Sequence, residues 1–318
     1  MNNFTLAALA LAIEMFAGYP PALYKLIGHP VEWIGKLIPY LDHALNDPDA
    51  SAQDQRNHGI FAIIALIVIV GIPSYAIAKA LSAVPYGWII NVLLATVFIA
   101  QKSLRDHVSA VINALPQSIS LARREVAKIV GRDPEILDES GIAKATLESL
   151  AENSADGVVA PILWYALLGL PGIVIYKTIN TADSMIGHKS KKYLNFGWAT
   201  AKLDDLVNLP ASRLTGLLFA GAARLQSATA AKAALNALWH DAGKHQSPNA
   251  GWPEAAMAGA LDLRFGGPRN YEGTTIDLPF MGNGREQIVT ADIARGLTIY
   301  DHALIILLGL SVLLAMVL

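Results

Sequence analysis

AENSADGVVAP (residues 151–161), INTADSMIGHKSKKY (179–193) and AKLDDLVNLPASR (201–213) set three polar clusters between apolar runs. The runs, Val158 to Lys177 and Leu206 to Ala220, are apolar enough to enter a bilayer. Ionisable side chains beside hydrocarbon are costly and usually serve a task. Working outward from this stretch, the questions are what that task is and whether the rest of the chain agrees.

Composition agrees with a membrane setting. The chain has 318 residues, 53% of them hydrophobic and only 16% charged, against roughly 25% charged in an average soluble domain. Mean hydropathy is +0.40. That is too apolar for an ordinary soluble enzyme and too polar for a bare bundle of spanning helices. Net charge is −2 and no Lys/Arg-rich run occurs, which argues against a nucleic-acid partner. There is no cysteine, so disulfides, thiolate chemistry and cysteine-ligated zinc are excluded. The fold class read from this pattern is all-α: a polytopic integral membrane protein with re-entrant or broken helices and large cytoplasmic helical loops.

Segment by segment, spanning helices are expected at about 4–18, 60–81, 86–101 and 297–318. The first is retained rather than a cleaved signal, because its first basic residue, Lys25, follows the apolar run and Glu14 lies inside it. Residues 25–57 read as a polar connection. Residues 101–156 read as aqueous and mainly helical, with Gly131–Pro134 as a turn. Glu148, Glu152 and Asp156 are spaced by four, and a solvated acidic face is the plainer reading for Glu148. Residues 158–177 carry Pro161, Gly169 and Pro171-Gly172 and read as two half-helices with a break. Residues 224–297 read as an Ala-rich helix (222–240) followed by a loop-rich part. The whole, 1–318, is taken as a single membrane-embedded domain, with 158–177 and 206–220 entering the membrane.

Charge suggests a side. Basic residues favour the cytoplasmic face. Lys25, Lys36 and Arg56 follow the first helix, and a group from Lys102 to Lys144 follows the third. Lys189, Lys191, Lys192 and Lys202 come after 158–177. All share one side if 158–177 and 206–220 dip in without crossing. Broken backbone at membrane depth is tolerated when protein or water covers it. The polar clusters of this multi-pass chain are therefore expected to face the cytoplasm.

Carboxylates with amide oxygens are hard ligands suited to magnesium, and through it to phosphate. Lys and Arg nearby complement phosphate. On a helix Asp204 and Asn208 share a face, and Asp205 reaches the same side. A competing reading makes Asp204-Asp205 a helix N-terminal pair favoured by the macrodipole. Lys191-Lys192 reads as an interfacial anchor. His29, His107 and His188 have no metal-ligand spacing, and Gly187-His188-Lys189-Ser190 fails the phosphate-loop pattern.

These blocks resemble the CobD/CbiB family of membrane-bound adenosylcobinamide-phosphate synthases. HPVEWIG (29–35), SLRDHVSAV (103–111), GRDPEIL (131–137), SPNAGWPEAAMAGAL (247–261) and GGPRNYEG (266–273) extend the resemblance in order along most of the chain. It implies ATP-dependent amide ligation of adenosylcobyric acid to aminopropanol or its phosphate, with Mg²⁺, in cobalamin biosynthesis. The corrinoid, aminopropanol phosphate, the lipid bilayer and other cobalamin-biosynthesis enzymes are the partners implied. Carried over to this sequence, Glu152, Asp156, Asp183, Asp204 and Asp205 take magnesium and base duties, with Asp183, Asp204 and Asp205 as the metal set. Lys189, Lys202 and Arg213 hold phosphate. Asn153, Asn180, Ser184, Asn208 and Asn249 orient substrate. The chain departs from the family at Lys202, where many relatives have arginine, and at Gly18-Tyr19-Pro20, where Gly-Asp-Pro is usual. A non-catalytic sensor of the same fold, or a transporter with broken helices, are the alternatives.

Overall fold

In the computed structural model all residues are described except 132, 133, 272, 273 and 277, and side chains of 21, 269–271 and 274–276. Parts of the GRDPEIL and GGPRNYEG blocks, and of the turn expected at 131–134, therefore lie outside the described residues. In chain order the elements are α1 (Asn3–Ala17), α2 (Pro21–Ile27), α3 (Pro30–Leu45), α4 (Ala52–Ser82), α5 (Gly87–Thr96), α6 (Gln101–Ala114), α7 (Ile119–Val126) and α8 (Glu139–Ser154). A π-helical turn (Ala155–Val159) leads into α9 (Ala160–Ile186) and then α10 (Trp198–Gln226). Next come α11 (Ala228–Asp241), a 3₁₀ turn (Ala242–Lys244) and α12 (Gly251–Leu261). Four short strands follow, β1 (Phe265–Gly266), β2 (Arg269–Tyr271), β3 (Thr274–Ile276) and β4 (Phe280–Met281), before α13 (Thr290–Val317). β1 pairs antiparallel with β4, and β2 with β3.

The chain is an all-α polytopic membrane protein, as its hydropathy leads one to expect. Among the described residues Ala52–Ser82, Gly87–Ala114, Glu139–Ile186 and Thr290–Val317 are long and apolar enough to cross a membrane. Asn3–Ala17 reaches that measure only together with the bent helical segment after it. α10 does not meet it.

Several local expectations are corrected. Residues 25–57 are not a mere polar connection: α3 forms there because Ile34, Ile38, Leu41 and Leu45 recur at helical spacing. Pro30 opens it at a position where its missing N–H costs nothing, and the His29 ring accepts the Val31 N–H. α4 begins at Ala52, well before Ile60, because the Ser51 hydroxyl caps it through the Asp54 N–H. Pro161 does not end the helix: it directly follows the π turn Ala155–Val159, and helix continues on both sides of it. The break in α9 falls at Gly169, whose φ of 67° is open to glycine and strained for other residues. The Ala-rich helix starts at Ala228 rather than 222, because Ser227 caps it by accepting the Ala230 N–H. Within the supposed loop-rich part, Gly251–Leu261 is helical and every residue but Trp252 is buried. Its small side chains let backbones approach: a Cβ on Gly259 would meet the Ala233 carbonyl oxygen at 2.5 Å.

The chain divides into two compact units. The first comprises Met1–Ala100, Ala160–Asn208 and Ser311–Leu318, and the second Gln101–Val159 and Leu209–Leu310. The core of the first is Ile38 of α3, Ala62, Ile63 and Leu66 of α4, Ile179, Ala182 and Ile186 of α9, and Phe196. Gly59 of α4 lies against the Phe196 backbone, where a Cβ would come 1.9 Å from its oxygen. Ile179, Ala182 and Ile186 fix one face of α9 on this core. Leu203 and Val207 do the same for α10. Asn180 and Asp183, and Asp204 and Asn208, each follow those anchors by one residue, about 100° further round the helix.

In the second unit buried acids are used structurally. Glu148 is buried, and its Oε1 accepts the Gly266 N–H at 2.9 Å, so it is not part of a solvated acidic face. Asp241 accepts the Gly282 N–H at 2.8 Å and pairs with Lys244 at 2.6 Å. Asp292, 2% exposed, accepts from Arg285, Arg295 and the Val289 N–H.

Candidate functional site

In the first unit a chain of hydrogen bonds converges on one carboxylate. The Tyr176 hydroxyl donates to Asn208 Oδ1 at 2.8 Å, and Asn208 Nδ2 donates to Asp204 Oδ2 at 3.0 Å. From the other side Lys177 Nζ donates to Asn180 Oδ1 at 3.0 Å, and Asn180 Nδ2 donates to Asp204 Oδ1 at 3.4 Å. Tyr176 and Lys177 thus orient both amides with their NH₂ groups toward Asp204. A carboxylate can only accept, so each of its oxygens is matched to a donor. Asp204 is buried, and burial first, with the nearby Asp205 adding, pushes its carboxyl above the usual range despite the two amides.

Asp204 is the seventh residue of α10, which begins at Trp198. The helix N-terminal reading of Asp204-Asp205 is therefore corrected, because the dipole effect is confined to the first turn. Asp205 does not turn to Asn208 but pairs with Lys202 at 3.3 Å. Asp183 is half-buried on α9, with Asp204 and Asp205 close enough to act on it electrostatically. Its carboxylate lies over Gly187, where a Cβ would approach Asp183 Oδ1 to 1.9 Å. Among the described residues Ser184 donates to the Asn180 carbonyl on its own helix. Lys189 is exposed. Lys192 pairs with Asp42 at 2.6 Å, and that bond pushes its ammonium up to about 12. It joins the loop after α9 to α3 and stays charged, so it is no base.

The second unit holds the remaining predicted residues. Arg213 Nη1 donates to Asn249 Oδ1 at 3.1 Å, to the Ser212 hydroxyl and to the Leu209 carbonyl. Ser212 donates to the same Asn249 oxygen at 3.0 Å. The guanidinium carbon lies 4.6 Å from the centre of the Trp252 ring, a stacking that suits arginine. Ser247 Oγ accepts the N–H groups of Asn249 and Ala250, which shapes the SPNAG turn. Glu152 is exposed, Asn153 donates back to Ser149, and Asp156 is half-buried in the π turn. π turns inside helices recur at functional sites.

Tyr176, Lys177, Ser212 and Trp252 are absent from the sequence-derived set. Tyr176 and Lys177 stand four and three residues before Asn180, so helical spacing could have found them. Ser212 reaches Asn249, and Trp252 reaches Arg213, only through the tertiary fold.

A family model described as CobD/Cbib protein matches residues 7–300. A Sinorhizobium sp protein named Cobalamin biosynthesis protein CobD is 47% identical over 314 residues, 98% of this chain and 97% of its own length. Proteins of that name from Rhodobacter capsulatus (47% identical, covering 96% and 95%) and Brucella suis (42%, covering 96% and 94%) are similar over the same extent. No solved structure matches. Matched over nearly its whole length, the chain belongs to the CobD/CbiB family.

Proposed function

We propose that the protein acts in cobalamin biosynthesis as an ATP-dependent ligase. It joins a propionate carboxylate of adenosylcobyric acid to the amine of aminopropanol or its phosphate. The observation that carries this reading is the donor-matched Asp204, flanked by Asp183, Asp205 and lysines, in a chain whose relatives are named for that pathway. In the first half-reaction the γ-phosphoryl of ATP passes to the substrate carboxylate, and ADP leaves. In the second the amine attacks the acyl carbon, phosphate departs, and the amine proton goes to a base. Phosphoryl transfer to a carboxylate needs positioning and charge more than a protein nucleophile.

Among the described residues no three His, Cys, Asp or Glu side chains form a ready metal cage. Magnesium takes one or two carboxylates and completes its shell with water and substrate phosphates, so its binding here does not depend on such a cage. Asp204 with Asp183 or Asp205 would hold it, and when bound it would neutralise phosphate charge. Arg213 suits a phosphate oxygen: one guanidinium nitrogen is fixed on Asn249, leaving the rest of its fork for a ligand. Arg213→Lys is expected to raise KM for the nucleotide or phosphorylated amine about tenfold, with the fold intact, because lysine keeps charge but loses fork and stack. The decisive assay supplies ATP, Mg²⁺, adenosylcobyric acid and aminopropanol phosphate to purified protein. Absence of adenosylcobinamide phosphate would defeat the ligase reading and leave a sensor or transporter.

The reacting side is proposed to be the cytoplasm, on the strength of the basic residues that flank the polar clusters. The native chain has no cysteine, so a single Ser190→Cys reports cleanly. A membrane-impermeant thiol reagent is expected to label it only after the inner membrane is opened. Labelling in spheroplasts with an intact membrane would reverse the orientation.

A further inference from the structure

The first unit contains a cavity that the ligase reading does not use. Its volume is about 470 Å³, within the range of small-molecule pockets. Lys79, Asn91, Trp88, Asn3, Leu168 and Gly169 are among its lining residues. It includes the last turns of α4 and the start of α5, which open onto the segments Ala52–Ser82 and Gly87–Ala114 that are apolar enough to span, and the turn that joins them. Such a turn lies at a membrane surface, and Tyr75, Tyr86 and Trp88, all exposed here, suit the headgroup level.

The chemistry of the lining favours an anion. Lys79 is its single charged side chain, and no Asp or Glu contributes. Among the described residues the Lys79 ammonium makes no ion pair. The Tyr165 hydroxyl donates to Asn91 Oδ1 at 2.7 Å, so the Asn91 carboxamide has its NH₂ left to give. The break at Gly169 begins a new helical half beside the cavity, and a helix start favours negative charge. Leu6, Leu168 and Leu170 supply an apolar side. A cation with amide donors on one side and leucines on the other matches a phosphodiester bearing acyl chains better than a free inorganic anion.

We propose that this cavity binds the phosphodiester headgroup of an anionic membrane phospholipid, with Lys79 and Asn91 on the phosphate. The lipid would lie against the break in α9, the helix that carries Asn180 and Asp183. The test is native mass spectrometry of the full chain released from micelles containing equal phosphatidylglycerol and phosphatidylcholine. One phosphatidylglycerol is expected to be retained in preference. Lys79→Gln, on an exposed site, is expected to lower that retention about fivefold, the effect of one charge at an anionic surface. Ala78→Trp, which fills the lining, is expected to remove it, with melting temperature as the control for folding. Equal retention of both lipids, or no change in Lys79→Gln, would overturn the proposal. So would full displacement by millimolar inorganic phosphate, which would make the site one for the free anion.

Discussion

Asp204→Asn is expected to lower amide formation by about a thousandfold while the protein folds normally. The magnitude is that of losing one preorganised charge at a phosphoryl- or acyl-transfer site. The geometry explains the selectivity. Asn180 and Asn208 both present NH₂ to Asp204, and Tyr176 and Lys177 hold them in that orientation. A carboxamide at 204 has one oxygen for two donors, so its own NH₂ would face one of them. The charge needed for magnesium goes with it. Stability moves the other way. A carboxyl whose folded value lies above its unfolded value of about 4 contributes stability that is full below that value and lost as pH rises through the folded one. The neutral amide removes this loss, so the thermal midpoint of Asp204→Asn relative to the parent should rise with pH. Retained activity, or a collapse in stability at every pH, would remove Asp204 from the catalytic set.

Asp292→Ala should cost about 1–3 kcal/mol of stability, because it leaves the Val289 N–H without its acceptor and two half-exposed guanidiniums that water satisfies only in part. Asp292 accepts from Arg285 Nη2 at 2.9 Å on each oxygen, from Arg295 at 3.2 Å and from the Val289 N–H at 2.9 Å, which also starts α13. Tryptophan-fluorescence melting in detergent should show a midpoint several degrees lower. Asp292→Asn, which keeps the shape and can still accept one bond, should lose about half as much. An unchanged midpoint for the alanine variant would mean the arginines are satisfied by solvent.

The two variants separate what could be read from the chain and what could not. Asp204 was legible because Asp204 and Asn208 are four apart, and a helix brings such pairs together whatever surrounds it. Arg213 was legible by type and company, but its partner Asn249 is thirty-six residues away, and only packing of α10 on the SPNAG turn joins them. Glu148 was misread for the same reason: its partner is the Gly266 N–H, 118 residues on. Asp292 gave no signal, because two arginines at three and seven residues' distance look like surface charge until burial is known. Asp205 was read toward Asn208, yet the side chain found Lys202, since both geometries are open to a helix and only local competition decides.

The sequence by itself determined the class of protein. Apolar runs near the length of a bilayer, few charges, no cysteine and an ordered series of polar blocks are properties of composition and order, and they survive any packing. It also foretold a break within 158–177, while leaving Pro161, Gly169 and Pro171-Gly172 all open as its place; the structure puts it at Gly169. Only the tertiary structure decided how the polar residues are used. Ile179, Ala182 and Ile186 on α9, and Leu203 and Val207 on α10, settle against one core and so rotate Asn180 and Asp204 into contact. A helical period tells which residues share a face. It does not tell which face another helix will cover, and that depends on contacts distant in sequence.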